Sequence, residues 1–108
     1  MCKEGIQLGR TTVSGVSSTS ISTTGIEAVP ADPYRTCLII TPPTANRITL
    51  SDKADVTDGN GIVLAAGNPP LILDIEHHGN LVTKRLYGVS NTGSNVLGYA
   101  YSGIYGNL

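Results

Sequence analysis

The chain has 108 residues, a formal net charge of −1 and only 14% charged residues. This length corresponds to one domain, and the balanced charge lacks the basic patch that is typical of direct nucleic-acid binding. No run of about 18 apolar residues is present, so we expect no membrane-spanning segment and no membrane partner.

The composition predicts a thin hydrophobic core. The chain contains five Tyr but no Trp or Phe, the residues that normally supply much of the buried area in small domains. Ile, Leu and Val must supply that area here, in a domain that buries only roughly 65% of its unfolded surface. Because association adds buried surface and stabilises the folded state by mass action, we expect a homo-oligomer.

Residues 1–30 are predicted to form an extended arm rich in Ser and Thr, followed by a folded domain over residues 31–108. The arm has little hydrophobic mass, so it does not offset its own ordering entropy. It also has no Pro and no charge between Thr11 and Gly25, which favours its addition as a strand to a neighbouring molecule. A disordered tail is the alternative for an isolated monomer. On the arm hypothesis, the domain stays folded without residues 1–25. The candidate partner-binding residues of the arm are Thr11, Val13, Val16, Ile21 and Thr23.

Short β-strands separated by turn residues are predicted after the arm. The predicted strands cover residues 36–41, 47–51, 62–65, 71–77, 84–90 and 96–102, and the last two are predicted to form a hairpin around residues 91–95. No window carries the apolar stripe of a helix. The pattern predicts an all-β fold, and we expect a small antiparallel β-sandwich, with a small barrel as the alternative. It leaves jelly-roll and immunoglobulin-like topologies open.

The two cysteines are Cys2 and Cys37. Cys37 lies in an apolar run, where a free cysteine behaves as a small buried hydrophobic residue. No second pair of ligands has a spacing suited to a metal. We therefore expect an inert thiol and synthesis in a reducing cytosol.

Two polar clusters are candidates for metal binding. His77 and His78 are adjacent and follow Asp74 and Glu76. Neighbouring residues of a strand point to opposite faces, so the two histidines do not converge on one ion. We interpret this cluster as a solvated strand end.

The loop at residues 52–61 contains Asp52, Asp55, Asp58 and Asn60, which is the kind of oxygen-rich segment that binds calcium. Its spacing differs from that of an EF-hand. Asp-Gly and Asn-Gly are also preferred in tight turns, which is the interpretation we favour.

No catalytic motif is present. The sequence lacks Gly-x-Ser-x-Gly and a phosphate-binding loop that ends in Gly-Lys-Ser/Thr. We predict that the protein is not an enzyme and uses no cofactor or metal.

Tyrosines are concentrated near the C-terminus, at Tyr99, Tyr101 and Tyr105. Tyr combines an apolar ring with a hydroxyl group and is enriched where a partner protein covers a surface. We add these three residues to the candidate partner-binding set. The alternative is that the rings cap an open end of the core.

Several short motifs occur in a suggestive order: RITLS at 47–51, GNGIVLA at 59–65, PPL at 69–71, HGNL at 78–81 and LYGVS at 86–90. With the C-terminal strand, this order resembles small virion proteins of tailed bacteriophages over residues 34–102. The resemblance implies a capsid decoration (cement) protein with a jelly-roll-like sandwich that is often trimeric. It also implies a place on the virion surface after assembly in the host cytoplasm, with the major capsid protein and other virion proteins as partners.

Three other functions remain open at this point. A phage tail or fibre module that binds a host receptor or glycan is also all-β, although it usually carries exposed aromatic platforms. A calcium-dependent binding module requires a real site in the loop at residues 52–60. A small hydrolase requires a convergent Ser, His and acid cluster, which the sequence does not supply.

Overall fold

The computed structural model describes residues 11–93 and 95–105, and the side chains of residues 15–93 and 95–103. In this part of the chain there are eight strands, a one-turn helix α1 and a 3₁₀ helix. Their bounds are β1 Thr11–Ile21, β2 Ile26–Val29, β3 Arg35–Thr41, β4 Arg47–Ser51, β5 Ile62–Ala65, β6 Leu71–Asp74, α1 Ile75–His78, the 3₁₀ helix Gly79–Thr83, β7 Leu86–Ser90 and β8 Asn95–Tyr105.

The strands form two antiparallel four-stranded sheets. Sheet A has the order β1-β8-β3-β6, and sheet B has the order β2-β7-β4-β5. Among consecutive strands, only β4 and β5 are neighbours within one sheet, and every other connection crosses between the sheets. Eight strands arranged in this way in two packed sheets form a jelly-roll-like sandwich. The prediction of a small antiparallel β-sandwich is therefore confirmed.

Aliphatic side chains from both sheets fill the space between them, as the composition indicated. One aromatic ring, that of Tyr99, joins this core cluster. The largest fully buried apolar side chains are Ile21, Leu38, Ile40, Ile48, Leu50, Leu73, Leu86, Leu97, Val29 and Val82.

The predicted strand at residues 71–77 was wrong in its second half. Strand β6 ends at Asp74, whose carboxylate accepts a hydrogen bond of 2.7 Å from the backbone N–H of His77. Asp74 thus acts as the N-cap of α1, and capping of this kind starts a helix where alternation alone predicts a strand. Neither helix in the described part of the chain is long and apolar enough to cross a membrane.

The predicted hairpin around residues 91–95 was also wrong. Strand β7 pairs with β2 and β4, whereas β8 pairs with β1 and β3, so the loop crosses from one sheet to the other. The buried Ser90 holds this crossing in place. Its hydroxyl donates to the carbonyl of Thr92 at 2.7 Å and accepts from Asn95 Nδ2 at 3.0 Å.

The N-terminal segment pairs as a strand with a sheet of its own molecule. Strand β1 pairs with β8 from Thr11 opposite Tyr105 to Ile21 opposite Asn95, without a register shift. The side chain of Ile21 is 0% exposed and belongs to the core. Strand β1 is therefore an integral part of sheet A, so we expect deletion of residues 1–25 to destabilise the sandwich.

Cys37 is buried on β3, as predicted, but it is disulfide-bonded. The expectation of an inert free thiol was therefore wrong. The other cysteine of the sequence is Cys2, which lies outside the described residues. Disulfides persist in oxidising environments, so the cysteines no longer support the expectation of a reducing cytosol.

Two aliphatic residues of β1 provide a matched test of its place in the fold. We expect Ile21→Ala to lower the free energy of unfolding by about 2–5 kcal/mol, because it empties a core position. Val16→Ala, at a side chain that is 82% exposed, should change it by less than about 0.5 kcal/mol. Urea unfolding followed by circular dichroism measures both values. Equal effects of the two substitutions would contradict the placement of β1.

Candidate interaction surface

Strand β1 is a long outermost strand of sheet A in the part of the chain that the structure describes. It has 11 residues, whereas the other outermost strands β2, β5 and β6 have four each. Among the described residues, no strand pairs with its outer side. Proteins usually protect such an edge with Lys, Pro or a bulge. The β1 sequence TTVSGVSSTSI contains none of these residues, and its pairing with β8 is regular.

The outward side of sheet A carries no charge along β1 and the adjoining parts of β8 and β3. Strand alternation and the pairing register place small or apolar residues side by side on this side of the sheet. Val16 and Val96 on this side are 82% and 62% exposed. We call this the outer face, and its members are Val16, Ser18, Ser20, Val96, Gly98, Ala100, Ile39 and Thr41.

A cavity of about 310 Å³ lies beneath β1, on the opposite side of sheet A. Arg35 and Tyr99, which are 2% and 8% exposed, form its deep part. Its outer part is formed by exposed residues of β1 and of the connection between β2 and β3, so the cavity opens beside the β1 edge. The lining residues are Val16, Ser17, Pro30, Ala31, Asp32, Arg35, Tyr99 and Tyr101.

The guanidinium of Arg35 is held by three backbone carbonyls. Its Nε donates to Val82 O at 2.6 Å, Nη1 to Pro30 O at 3.0 Å, and Nη2 to Lys84 O at 3.1 Å. No carboxylate of the described residues lies within 4.0 Å of this cation. Burial lowers the pKa of Arg35 below its usual value, while the charge of Asp32 acts in the opposite direction.

A glycine makes room for one wall of the cavity. The hydroxyl of Tyr101 lies over Gly15 on β1, where an added Cβ would stand only 2.7 Å from that oxygen. The Tyr101 ring also lies 6.5 Å from the ring of Tyr99, with the two planes at 34°. Gly15 therefore leaves room for the Tyr101 ring against β1, and this ring extends the aromatic wall.

The partner-binding residues predicted from the sequence occupy three different environments. Val16 is exposed on the outer face, and Thr23 is exposed in the bend between β1 and β2. Ile21 lies in the core, and Tyr99 and Tyr101 face the cavity and the core, so their rings are not anchors on the outer surface. Thr11, Val13 and Tyr105 belong to strands β1 and β8, but their side chains lie outside the described part of the structure.

Sequence reasoning missed Arg35 and Asp32. Arg35 stands at the start of an apolar strand, and the sequence pattern gave no indication that its side chain is buried. The sequence feature that could have indicated it is the place of Arg35 directly before the apolar segment 36–41. An arginine at such a position is buried when backbone carbonyls accept its hydrogen bonds.

The cluster at residues 74–78 is a helix cap with two associated imidazoles. His77 Nδ1 lies 2.9 and 3.0 Å from the carboxylate oxygens of Asp74, and the backbone N–H of Asp74 donates to His78 Nδ1 at 3.1 Å. The N–H of His77 lowers the pKa of the Asp74 carboxyl, with a smaller opposing effect of burial. Within the residues described, no group of three or more His, Cys, Asp or Glu is arranged to hold a metal ion.

Ion pairs account for two of the acidic residues in the loop at 52–61. Asp58 accepts two hydrogen bonds from Arg47, at 2.9 Å from Nε and 2.6 Å from Nη2. This bond pair lowers the pKa of Asp58. Asp52 lies 3.5 Å from Lys84 Nζ. These contacts fasten the loop to strand β4 and to the segment before β7.

No protein-family model matches the chain, and no curated protein or solved structure matches it significantly.

The lowered pKa of Asp74 predicts acid sensitivity at the start of α1. Because the folded-state pKa lies below the ordinary value of 3.8, the unfolded chain binds more protons in this range and stability falls as pH drops below 3.8. We expect Asp74→Asn to reduce the loss of stability between pH 5 and pH 2.5. The midpoints of urea unfolding at the two pH values measure this loss for the wild type and the variant. Equal losses of stability in the two proteins would refute the capping role.

Proposed function

We propose that this chain is a phage capsid decoration protein that acts as a homotrimer and stabilises the head by bridging major capsid subunits on the virion surface. The observation that carries the proposal is the long, uncharged β1 edge, which no other strand of the described residues covers, next to the uncharged outer face. The resemblance of residues 34–102 to small virion proteins of tailed phages supplies the type of partner.

The β1 edge suits binding by strand addition. Eleven residues in extended conformation span roughly 36 Å, which is long enough to pair with a whole strand of another protein. In such pairing, the backbone groups of the edge supply hydrogen bonds, and neighbouring side chains supply specificity. Exposed Val16 and Val96 then become buried against the partner, which removes apolar surface from water.

Repetition over a symmetric shell strengthens modest single contacts. An interface of ordinary size buries about 800 Å² per partner. When one trimer engages several capsid subunits at once, each further contact is intramolecular and the overall avidity rises by roughly 10²–10⁴. Low charge on this surface is compatible with close packing of copies, because it adds little mutual repulsion.

A lysine placed on the β1 edge tests this proposal. We expect Val16→Lys to weaken binding to undecorated phage shells by roughly tenfold or more, because an edge lysine opposes pairing with another strand. The matched control is Val63→Lys, at an exposed side chain of strand β5 in sheet B. This variant should bind shells as the wild type does. Cosedimentation of protein with shells measures binding.

The same preparation tests the assembly state. Light scattering of the free protein should give the mass of three chains. A stable monomer that fails to bind shells would contradict the proposal, and so would equal loss of binding in the two lysine variants. Thermal unfolding of both variants confirms that the substitutions leave the sandwich folded.

A further inference from the structure

We propose that the cavity beneath β1 receives a carboxylate side chain from the partner strand, and that Arg35 is the group that recognises it. This inference rests on the proposed function, because it takes the β1 edge as the docking edge. It adds the chemistry of the partner: a strand that carries Asp or Glu at the position facing the cavity.

The first support is the buried charge of Arg35 in the deep part of the cavity, which has no carboxylate of the described residues within 4.0 Å. Arg35 is 2% exposed and donates only to neutral carbonyl oxygens. A guanidinium has five N–H groups, and three of those of Arg35 donate to these carbonyls, so its geometry allows two further N–H groups to donate to a ligand. A buried cation without a carboxylate in direct contact attracts an anion, because the surrounding medium screens charge weakly. Carboxylates match the forked donor geometry of arginine.

The second support is the position of the opening. Ser17 lies on the cavity side of β1, and it is exposed although its strand partner Tyr99 is buried. A strand added along β1 points alternate side chains to the same side as Ser17. One of these side chains therefore meets the cavity opening. The volume of about 310 Å³ accommodates a carboxylate side chain together with water.

Asp32 is the one acidic side chain of the cavity lining, so its removal should change the affinity for a carboxylate. Its Oδ1 accepts from the N–H of Tyr34 at 3.0 Å, and its carboxylate lies more than 4.0 Å from the Arg35 guanidinium. Asp32 is partly exposed near the opening, so it repels an incoming carboxylate. Asp32→Asn removes this repulsion and leaves Arg35 in place.

Two peptides and the full-length protein provide the test. The probes are end-blocked 11-residue β-strand peptides, one with a central Glu as its only charge and the other with Gln at that position. We expect the Glu peptide to bind about tenfold more tightly, as for a hydrogen-bonded charged group. Asp32→Asn should widen this difference, and added salt should narrow it. Fluorescence anisotropy measures the affinities.

Matched variants and small anions locate the effect. Ser17 lines the cavity, so Ser17→Ala should reduce the difference in affinity between the Glu and Gln peptides. Ser18 lies on the outer face of the same strand, so Ser18→Ala should leave this difference unchanged. Acetate should shift the Nε resonance of Arg35 in ¹⁵N spectra, and neutral acetamide should not. Equal affinities of the two peptides, or binding of neither, would overturn this inference even if the wild type binds shells. Failure of the wild-type protein to bind undecorated shells would instead overturn the proposed function.

Discussion

The three hydrogen bonds from the guanidinium of Arg35 to backbone carbonyls hold together the end of the sandwich that contains the cavity. They join the start of β3 to the connection after β2, to Val82 in the 3₁₀ helix and to Lys84, which follows that helix. Burying a cation is costly unless its donors are satisfied, so the side chain stays inside only while these carbonyls remain in place. One side chain thereby fixes three segments that carry little apolar mass.

The same arrangement gives the cavity its chemistry. Arg35 forms the deep part, Tyr99 and Tyr101 form the aromatic wall, and Gly15 gives Tyr101 the space to lie against β1. The walls therefore come from the regular ladder of β1 and β8, and the outer part comes from exposed residues of β1 and of the connection between β2 and β3.

The sequence predicted those parts of the fold that depend on local pattern. Strands β4 and β5 have the predicted bounds, because alternation and turn residues define them. The short helix after Asp74 depends on one capping carboxylate, which strand alternation masks. The true partners of β8 are distant in sequence, so the turn at 91–95 indicated a hairpin that does not exist. Val16 is one of the predicted partner-binding residues and lies on the outer face, whereas Arg35 was missed because its burial depends on carbonyls 47 and 49 residues away.

The pairing of the first described strand with the last has a consequence for how the protein is made. Thr11 pairs with Tyr105, so the β1–β8 ladder closes a loop that contains nearly the whole domain. Closing so long a loop carries a large entropic penalty before contacts compensate for it, and folds dominated by such pairings form slowly. During synthesis, β1 remains unpaired with β8 until β8 has left the ribosome. Newly made chains thus expose both sides of β1 to one another, and high expression should favour exchange of this strand between molecules.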